Sequence, residues 1–585
     1  MYVNNRDQIN YHRFLKNART KSGASQAQVA SGVCTASSYN RAELGVRVPE
    51  KLMRDRFTSR MGFSSERYVE YLGLEEFQQW QKRQNIVMAI AEGKMETAET
   101  LLEDYEKITD LENAVQLQFI KSMRFFILQK KGASEKELFI HVQQAVECTV
   151  LNIDKALIGV HLLADQELNL IAEYMRLQKY MGVPSNESTW RILEYQKLIT
   201  YMNHSFMEDL TKVKVYPKVT CFICEELLKE DASEYRLLEA WKLCDKSMKL
   251  LKDTHRLYYF LEILEFKKEI LCRLRECGAE TVRAETIDEE LQKTIMLEMK
   301  WKAYYEEYDL PFYMNDSTYL YWETECYNAA EVLGKRRKML QLPRATLCDG
   351  ICTERSLIRI EKTSLSLSMY VLNNLFERMG LCAEYRRGQV VSWETDVLKI
   401  YQELTEALNN SVVETSEMHL EKLRNELNMN LSFNQQEIKR AENICAARKE
   451  TVSAETLQKE IEDALECTLP VWALYNQKSN VSAYYTRSEL ACIHDLAFMV
   501  CGSHSEYCAA IIKAYCEEHI EKGLHPAKIG MIEFLMGGLT SYLYAMGDEE
   551  KAKHLRWKLM KSCLFYKRIP FELENPEKKQ VMLIE

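Results

Sequence analysis

Apolar side chains recur three and four positions apart through nearly all of the 585 residues, which is the pattern of amphipathic helices. The chain has 9 Pro and 20 Gly, the two residue types that interrupt helices most strongly, so few interruptions are available. The pattern therefore predicts an all-α protein. Because the chain is too long for one hydrophobic core, we expect several structural units.

The pattern of residues 14–62, named the first island, predicts short helices joined by tight turns. An apolar stripe begins at Phe14, Ser25 has the side chain of an N-cap, and Gly32 can end the second helix. Thr35 can cap a third helix, whose outer face would carry small polar side chains and one Arg. Such a face suits the major groove of DNA, so the segment predicts a helix-turn-helix.

Charge is distributed unevenly along the chain. The net charge is −10, yet residues 14–62 hold nine Lys/Arg against three Asp/Glu, and residues 332–380 hold nine against four. The remainder is strongly acidic. Since DNA binding requires a local basic face and not a basic chain, these two islands keep nucleic acid among the expected partners.

The segment S-Q-x-x-V-A-x-G-V-C-T-x-S-x-x-x-R-x-E-x-G-x-R-x-P, residues 25–49, resembles the lambda-repressor-type (Xre) helix-turn-helix. Its G-V-C-T turn is most similar to the peptide-sensing Rgg–PlcR (RRNPP) regulators of Gram-positive bacteria. The resemblance implies a buried ion pair between Arg19 and Glu43. Matched by position, it also implies these DNA-binding residues: Gln26, Thr35, Ala36, Ser37, Ser38, Asn40, Arg41 and Arg47.

An internal repeat places a second helix-turn-helix in the middle of the chain. Residues 332–380 match the first island without a gap at an offset of 318, and Arg337 and Glu361 stand at the ion-pair positions. Pro343 replaces the N-cap Ser, and Ile358 stands where the first island has an exposed Asn. The sequence leaves two roles open for this copy: a second DNA contact, or packing against the body or a second subunit.

Helix-length stretches with short polar joints follow each helix-turn-helix and predict stacked helical hairpins. Gly and Ala stand five apart at Gly93 and Ala98, and again at Gly547 and Ala552, a spacing typical of tetratricopeptide (TPR) helices. We therefore predict an N-terminal helix-turn-helix, TPR-like superhelical repeats, and a second helix-turn-helix inserted mid-chain. The predicted domains are 1–65 (helix-turn-helix), 66–325 (TPR-like repeats), 330–382 (second helix-turn-helix) and 383–585 (C-terminal TPR-like repeats).

The resemblance implies that a concave groove in the first repeat array binds a short signal peptide, as in quorum sensing. Asn can satisfy a peptide backbone and Tyr combines an apolar ring with a polar tip, although aromatic residues at helical spacing usually fill a core. The predicted groove-lining residues are Asn169, Tyr174, Tyr201, Asn203, Tyr258 and Tyr259. The family also implies a homodimer, which two helix-turn-helix copies in one chain could partly replace.

Motifs for catalysis are absent from the sequence. It has no phosphate-binding loop, dinucleotide-binding glycine motif, zinc-protease motif or serine-hydrolase motif, so we expect no enzyme, no catalytic residues and no cofactor. Cys221 and Cys224 form a C-x-x-C without a second pair at metal-ligand spacing, which favours packing and no metal. No signal peptide or apolar run of about 18 residues occurs, so we expect a cytoplasmic protein that does not bind membranes.

The best interpretation is a sequence-specific DNA-binding transcription regulator whose TPR-like body senses a ligand, a short peptide by resemblance. The alternative is a TPR-type interaction scaffold or inhibitor in which the helix-turn-helix units are structural. An enzyme with an unmarked site is the third and weakest interpretation. Salt-dependent DNA binding separates the first from the others.

Overall fold

A computed structural model of the chain describes residues 11–178, 180, 188–229, 232–278, 281–314, 316–363, 369–382, 386–387, 389–476, 483–500, 502 and 504–570. The fold is all-α, as the periodicity predicts, with three short strands in the described ranges. None of the helices in these ranges combines the length and the apolar content that a bilayer crossing needs.

The first helix-turn-helix contains Tyr11–Lys21 (α1), Gln26–Ala30 (α2), Ala36–Glu43 (α3) and Lys51–Arg60 (α4). Ser25 caps α2, because its hydroxyl accepts the N–H of Gln28 (3.2 Å) while the Gln28 side chain accepts the N–H of Ser25 (2.8 Å). Thr35 caps α3 by accepting the N–H of Ser38 (3.1 Å). Both caps confirm the sequence prediction.

A strand and the first helical array follow. The strand Tyr68–Leu72 (β1) is buried along its whole length, although the periodicity predicts a helix from Arg67 to Lys82; its aromatic and β-branched side chains fit a buried sheet. The array then comprises Leu74–Ala91 (α5), Met95–Glu106 (α6), Ala114–Lys130 (α7), Glu135–Glu147 (α8), Ile153–Leu157 (α9), Asp165–Gln178 (α10), Ser188–His204 (α11), Asp209–Lys212 (α12), Tyr216–Leu227 (α13), Glu234–Asp253 (α14), Phe260–Glu276 (α15) and Ala284–Glu307 (α16).

The second half begins with Cys326–Asn328 (β2). It contains the second helix-turn-helix, Ala329–Met339 (α17), Arg344–Cys348 (α18), Glu354–Thr363 (α19) and Met369–Glu377 (α20), and then Arg386–Arg387 (β3). Its array comprises Thr395–Asn409 (α21), Val413–Glu426 (α22), Ser432–Arg448 (α23), Ala454–Leu465 (α24), Val471–Tyr475 (α25), Arg487–Phe498 (α26), Ser505–Glu521 (α27), Ile529–Ala545 (α28) and Glu549–Phe565 (α29). Short 3₁₀ turns occupy Ser65–Arg67, Thr318–Tyr321 and Pro526–Lys528.

The duplication extends far beyond the two helix-turn-helix units. Helices α1 to α4 begin 318 residues before α17 to α20, and α6, α7 and α9 begin at the same distance before α22, α23 and α25. The sequence match had covered residues 14–62 and 332–380 alone. The two halves are therefore two copies of one helix-turn-helix-plus-array unit, and α15 and α16 are additions to the first.

Each half contains the same buried polar network. In the first half, Gln118 Nε2 donates to Thr149 Oγ1 (2.7 Å), and Thr149 Oγ1 donates to Glu167 Oε1 (2.5 Å). The second half repeats both bonds, at 2.8 and 2.9 Å, through Gln436, Thr468 and Glu489. Glu167 and Glu489 are fully buried, so each carboxylate requires a cationic partner.

Arginine from a helix-turn-helix neutralises each carboxylate, but the arginine differs between the halves. Arg56 and Arg60 of α4 contact Glu167 at 2.9 and 2.6 Å. In the second half, Arg336 of α17 contacts Glu489 at 2.6 Å, and the position equivalent to Arg56 is an Asn. Each helix-turn-helix thus contacts the equivalent carboxylate of its array, but through a different one of its helices: α4 in the first half and α17, the counterpart of α1, in the second.

The three strands join the two halves in the order β2-β1-β3. β1 runs parallel to β2 and antiparallel to β3, with Tyr68 opposite Arg387 and Val69 opposite Arg386. Since β3 begins 318 residues after β1, these two strands are equivalent segments of the two copies, and they pair with each other. An antiparallel pair of equivalent segments is the arrangement that a local twofold axis produces.

Contacts outside the sheet also tie the halves together. Tyr71 and Tyr484 share a hydrogen bond of 2.8 Å between their hydroxyl groups. The chain after α29 returns to the first array, where the N–H of Leu257 donates to the carbonyl oxygen of Lys567 (2.7 Å). The two copies therefore form one packed molecule.

The substitution Glu167→Gln should lower the free energy of unfolding by about 3–5 kcal/mol, because it leaves the guanidinium groups of Arg56 and Arg60 buried without a counter-charge. Urea unfolding followed by circular dichroism measures the loss. The exposed Glu137, two helices earlier, provides the control, and Glu137→Gln should change stability little. Equal effects of the two variants would contradict the role assigned to Glu167.

Stability should fall as the pH drops from about 4.5 to about 2. Burial raises the pKa of Glu167, but the positive charges of Arg60 and Arg56 lower it by more and hold it at about 2. Burial likewise raises the pKa of Glu173, and Lys218 lowers it to about 2. Because these folded-state values lie below the ordinary value of 4.5, the stabilisation is complete above 4.5 and disappears as the carboxylates protonate. Tm should change little between about pH 6 and pH 5 and then decrease as the pH is lowered to about 2, and a Tm that stays constant down to about pH 2 would contradict this origin.

Candidate nucleic-acid interface

The third helix of the first unit presents one face to the core and one to solvent. Tyr39 and Ala42 are buried, and the Tyr39 ring packs edge-on against Phe57 at 5.0 Å. Five of the predicted DNA-binding residues are exposed on or next to this helix, and two more are half-buried. The exposed ones are Thr35, Ala36, Ser37, Arg41 and Arg47, and the half-buried ones are Ser38 and Asn40.

Hydrogen bonds fix the rotation of α3 about its axis. Arg19 pairs with the buried Glu43, which confirms the predicted ion pair, and its Nη2 lies 3.2 Å from Glu43 Oε2. The hydrogen bond to Glu43 raises the pKa of Arg19. Gln26 Nε2 donates to Asn40 Oδ1 (3.0 Å) and to Glu43 Oε2 (2.7 Å). The Gln26 amide thus joins α2 to α3 within the unit, and its predicted contact with phosphate stays a prediction.

The turn between α2 and α3 is docked closely on the first array. Gly32 has φ +70°, and a Cβ at this position would overlap the carbonyl oxygen of Thr149. Gln28 Nε2 also donates to the carbonyl oxygen of Gly159 (3.0 Å). The recognition helix is therefore held in a defined position relative to the array.

Burial of α4 removes much of the positive charge from the predicted basic island. Four of its nine Lys/Arg are buried in ion pairs or hydrogen bonds with other parts of the molecule: Lys51, Arg54, Arg56 and Arg60. Arg54, for example, contacts Glu70 at 2.5 Å. Because these cations neutralise buried carboxylates, only part of the positive charge of residues 14–62 lies on the surface. The exposed cations are Lys16, Arg41 and Arg47.

The second helix-turn-helix preserves the same construction. Arg337 contacts Glu361 at 2.6 Å, as predicted, and Arg344, at the position of Gln26, reaches the same carboxylate at 2.8 Å. Thr353 caps α19 through the N–H of Ser356 (3.2 Å). The exposed side chains of this second recognition helix are Glu354, Arg355, Ser356, Arg359 and Lys362. Its outer face is thus more strongly charged than that of α3.

The residues predicted to line a peptide groove lie mostly in the core. Asn169, Tyr201, Tyr258 and Tyr259 are buried. Lys218 donates to Asn169 (2.7 Å), Tyr201 accepts the N–H of Leu163 (2.8 Å), and Tyr258 stacks on Tyr319 at 4.2 Å. Tyr174 is half-buried against Phe139, and the exposed Asn203 accepts a hydrogen bond from Lys246 (2.7 Å). That these six residues line a groove stays a prediction. The four buried ones are placed as core residues are.

Comparison with known proteins adds little to this geometry. No known protein family matches the chain, and no curated protein matches it. One similar chain is found in the crystal structure of Bacillus thuringiensis PlcR in complex with the peptide PapR7 and DNA, with 12% identity and a TM-score of 0.27. The match covers 51% of this chain and 99% of that chain. A TM-score this low carries no argument about function.

Arg41→Ala and Arg47→Ala should each weaken binding to a random-sequence DNA duplex about two- to tenfold and reduce its salt slope by about 1, since each removes an exposed cation. Fluorescence anisotropy at several salt concentrations measures both quantities. Arg56→Ala is the contrasting variant: it should lower the free energy of unfolding and leave the salt slope unchanged. A slope that changes with Arg56 but not with Arg41 would refute this surface.

Proposed function

We propose that the protein is a sequence-specific DNA-binding transcription regulator that contacts DNA through both helix-turn-helix units of one chain. The main support is the pairing of β1 with its own duplicate β3. This pairing joins two units whose recognition helices are both exposed and both fixed by an Arg–Glu ion pair. The resemblance of residues 25–49 to Xre-type regulators supports the same function.

The two units should read two different half-sites in inverted orientation. Two segments related by a local twofold axis place their recognition helices in opposite directions along the duplex. The first helix offers Ser37 and Arg41, whereas the second offers Arg355 and Arg359 at the equivalent positions. Arg pairs well with guanine in the major groove, so the second half-site should be richer in G·C pairs.

Xre-type regulators with one helix-turn-helix per chain need two chains to form a pair of DNA-binding units. Here one chain contains both units. The sequence-based expectation of a homodimer assumed one helix-turn-helix per subunit, although tandem copies offered a substitute. The β1–β3 contact has the self-complementary form of a dimer interface within a single chain. We therefore favour a single chain on each operator and keep the homodimer as the measurable alternative.

Ligand sensing by the helical body is the finer part of this proposal. The resemblance to Rgg–PlcR regulators implies a short peptide as the signal and a cytoplasmic site of action. A ligand changes DNA affinity only if it binds two arrangements of the body unequally. Such a response fits two arrays whose contacts with their helix-turn-helix units include a buried carboxylate neutralised by arginine.

An interaction scaffold is the second candidate, and one observation favours it. Leu44, Val46 and Val48 follow the first recognition helix and are 63%, 70% and 56% exposed. Apolar side chains clustered beside a recognition helix also suit a protein partner. Under this alternative, α3 would contact protein and not DNA.

Selection of bound duplexes from a random-sequence pool should recover a site with two unlike half-sites in inverted orientation. Arg41→Ala should relax the base preference in one half-site, and Arg359→Ala in the other, each by about tenfold, because each Arg serves one recognition helix. Mass photometry of the complex should find one copy of the chain for each duplex.

The control is Lys94→Ala, an exposed cation on the first array, which should leave both half-sites unchanged. A palindromic consensus bound by two chains would support the homodimer instead. Failure to enrich any sequence, with or without cell extract, would favour the scaffold.

A further inference from the structure

A large cleft lies at the junction of the two halves, away from both recognition helices. It has about 550 Å³ of space, and its walls come from α5, the segment 325–335, residues 483–485 just before α26, and α27 with the turn after it. Aromatic rings form much of the wall, including Phe77, Tyr327 and Tyr515. Exposed rim residues such as Ala514 leave it open to solvent. A cleft of this size and composition is typical of small-molecule sites.

The charged groups of the walls already have ion-pair partners, within the walls or beside them. Lys528 contacts the buried Glu325 at 3.2 Å, and Lys335 contacts Glu331 at 2.6 Å. Glu518 pairs outward with Lys522 at 2.8 Å. A charged ligand would therefore have to break an existing ion pair or enter without a counter-charge.

Two neutral N–H donors in the walls have no acceptor among the described residues. Trp80 is 8% exposed, and its Nε1 is buried without a hydrogen-bond partner. The His525 ring lies 5.6 Å from the Trp80 ring, and its Nδ1 accepts the N–H of Ala527 (3.3 Å). Burial lowers the pKa of His525 to about 4, so the ring is neutral near pH 7. Its proton must then be on Nε2, which is also buried without a partner.

We propose that this cleft binds an uncharged ligand that has an aromatic or aliphatic body and a carbonyl oxygen, with Trp80 and His525 donating to that oxygen. Unpaired buried donors are costly, so a ligand whose acceptor reaches them, after a shift of the wall side chains that cover both nitrogens, gains affinity. The aromatic walls hold the apolar body by stacking. Small amides and esters have this chemistry, and so does the backbone of a short apolar peptide with blocked ends. The inference concerns the cleft alone and does not depend on DNA binding.

Isothermal titration calorimetry of the full chain at about pH 6, where an α-amino group is almost fully charged and His525 is still neutral, tests the proposal with three matched probes. N-acetylphenylalaninamide is uncharged, N-acetylphenylalanine has a carboxylate, and phenylalaninamide has an ammonium group. The uncharged probe should bind at least about tenfold more tightly than either charged one. A blocked tripeptide, N-acetyl-Leu-Leu-Phe-amide, distinguishes the two sources, since tighter binding than that of the single amino acid indicates a peptide.

Trp80→Phe keeps the ring and removes the donor, so it should weaken binding of the uncharged probe about five- to tenfold. The matched control is Trp190→Phe, at an exposed Trp on α11, which should leave affinity unchanged. Ala514→Trp changes an exposed rim position that the fold tolerates, and it should block entry to the cleft. Equal affinity for all three amino-acid probes, no binding of the uncharged probe at millimolar concentration, or binding indifferent to both Trp80→Phe and Ala514→Trp would overturn the proposal.

Discussion

The placement of both helix-turn-helix units depends on one kind of interaction, a fully buried glutamate in each array that is neutralised by arginine from the neighbouring helix-turn-helix. A buried carboxylate without a cation is costly, whereas one with a cation and a complete set of hydrogen bonds is tolerated. Glu167 and Glu489 each have a Thr hydroxyl and a backbone N–H as further donors. If a helix-turn-helix unit left its array, the glutamate or the arginine would lose its partner or become exposed to water. Partly undocked states are therefore unfavourable, and each unit is either fully docked or fully released.

The local structure of both helix-turn-helix units could be predicted because its causes are local. Ser25 and Thr35 cap the helices that follow them, and Gly32 adopts the left-handed turn that only glycine accepts easily. Arg19 and Glu43 also pair as the motif implies. The sequence therefore identified which side chains of α3 face outward, and with them most of the candidate site.

The burial of α4, the duplicated polar network and the strand β1 depend on residues far apart in the sequence. The pattern of a single sequence does not reveal such long-range contacts. The helix KLMRDRFTSR, residues 51–60, has a surface composition, yet it is buried, in part because Arg56 and Arg60 pair with Glu167, more than 100 residues away. The duplicated arrays have diverged in their apolar residues while keeping the Gln, Thr and Glu of the buried network. That network becomes visible as a repeat only once the fold brings its members together. The strand β1 was missed because its partners, β2 and β3, lie some 250 to 320 residues away.

Fusion of two copies in one chain changes how the β1–β3 contact responds to dilution. Two separate subunits must meet by diffusion, so the fraction assembled falls as their concentration falls. Two copies in one chain face each other at an effective concentration set by the connecting segment, and this concentration is the same in a cell with ten molecules as in one with thousands. The fused pair is also free of the constraint that both members stay identical. Each recognition helix can change its contact residues while the other is left unaltered, as the different side chains at positions 37 and 355 already illustrate.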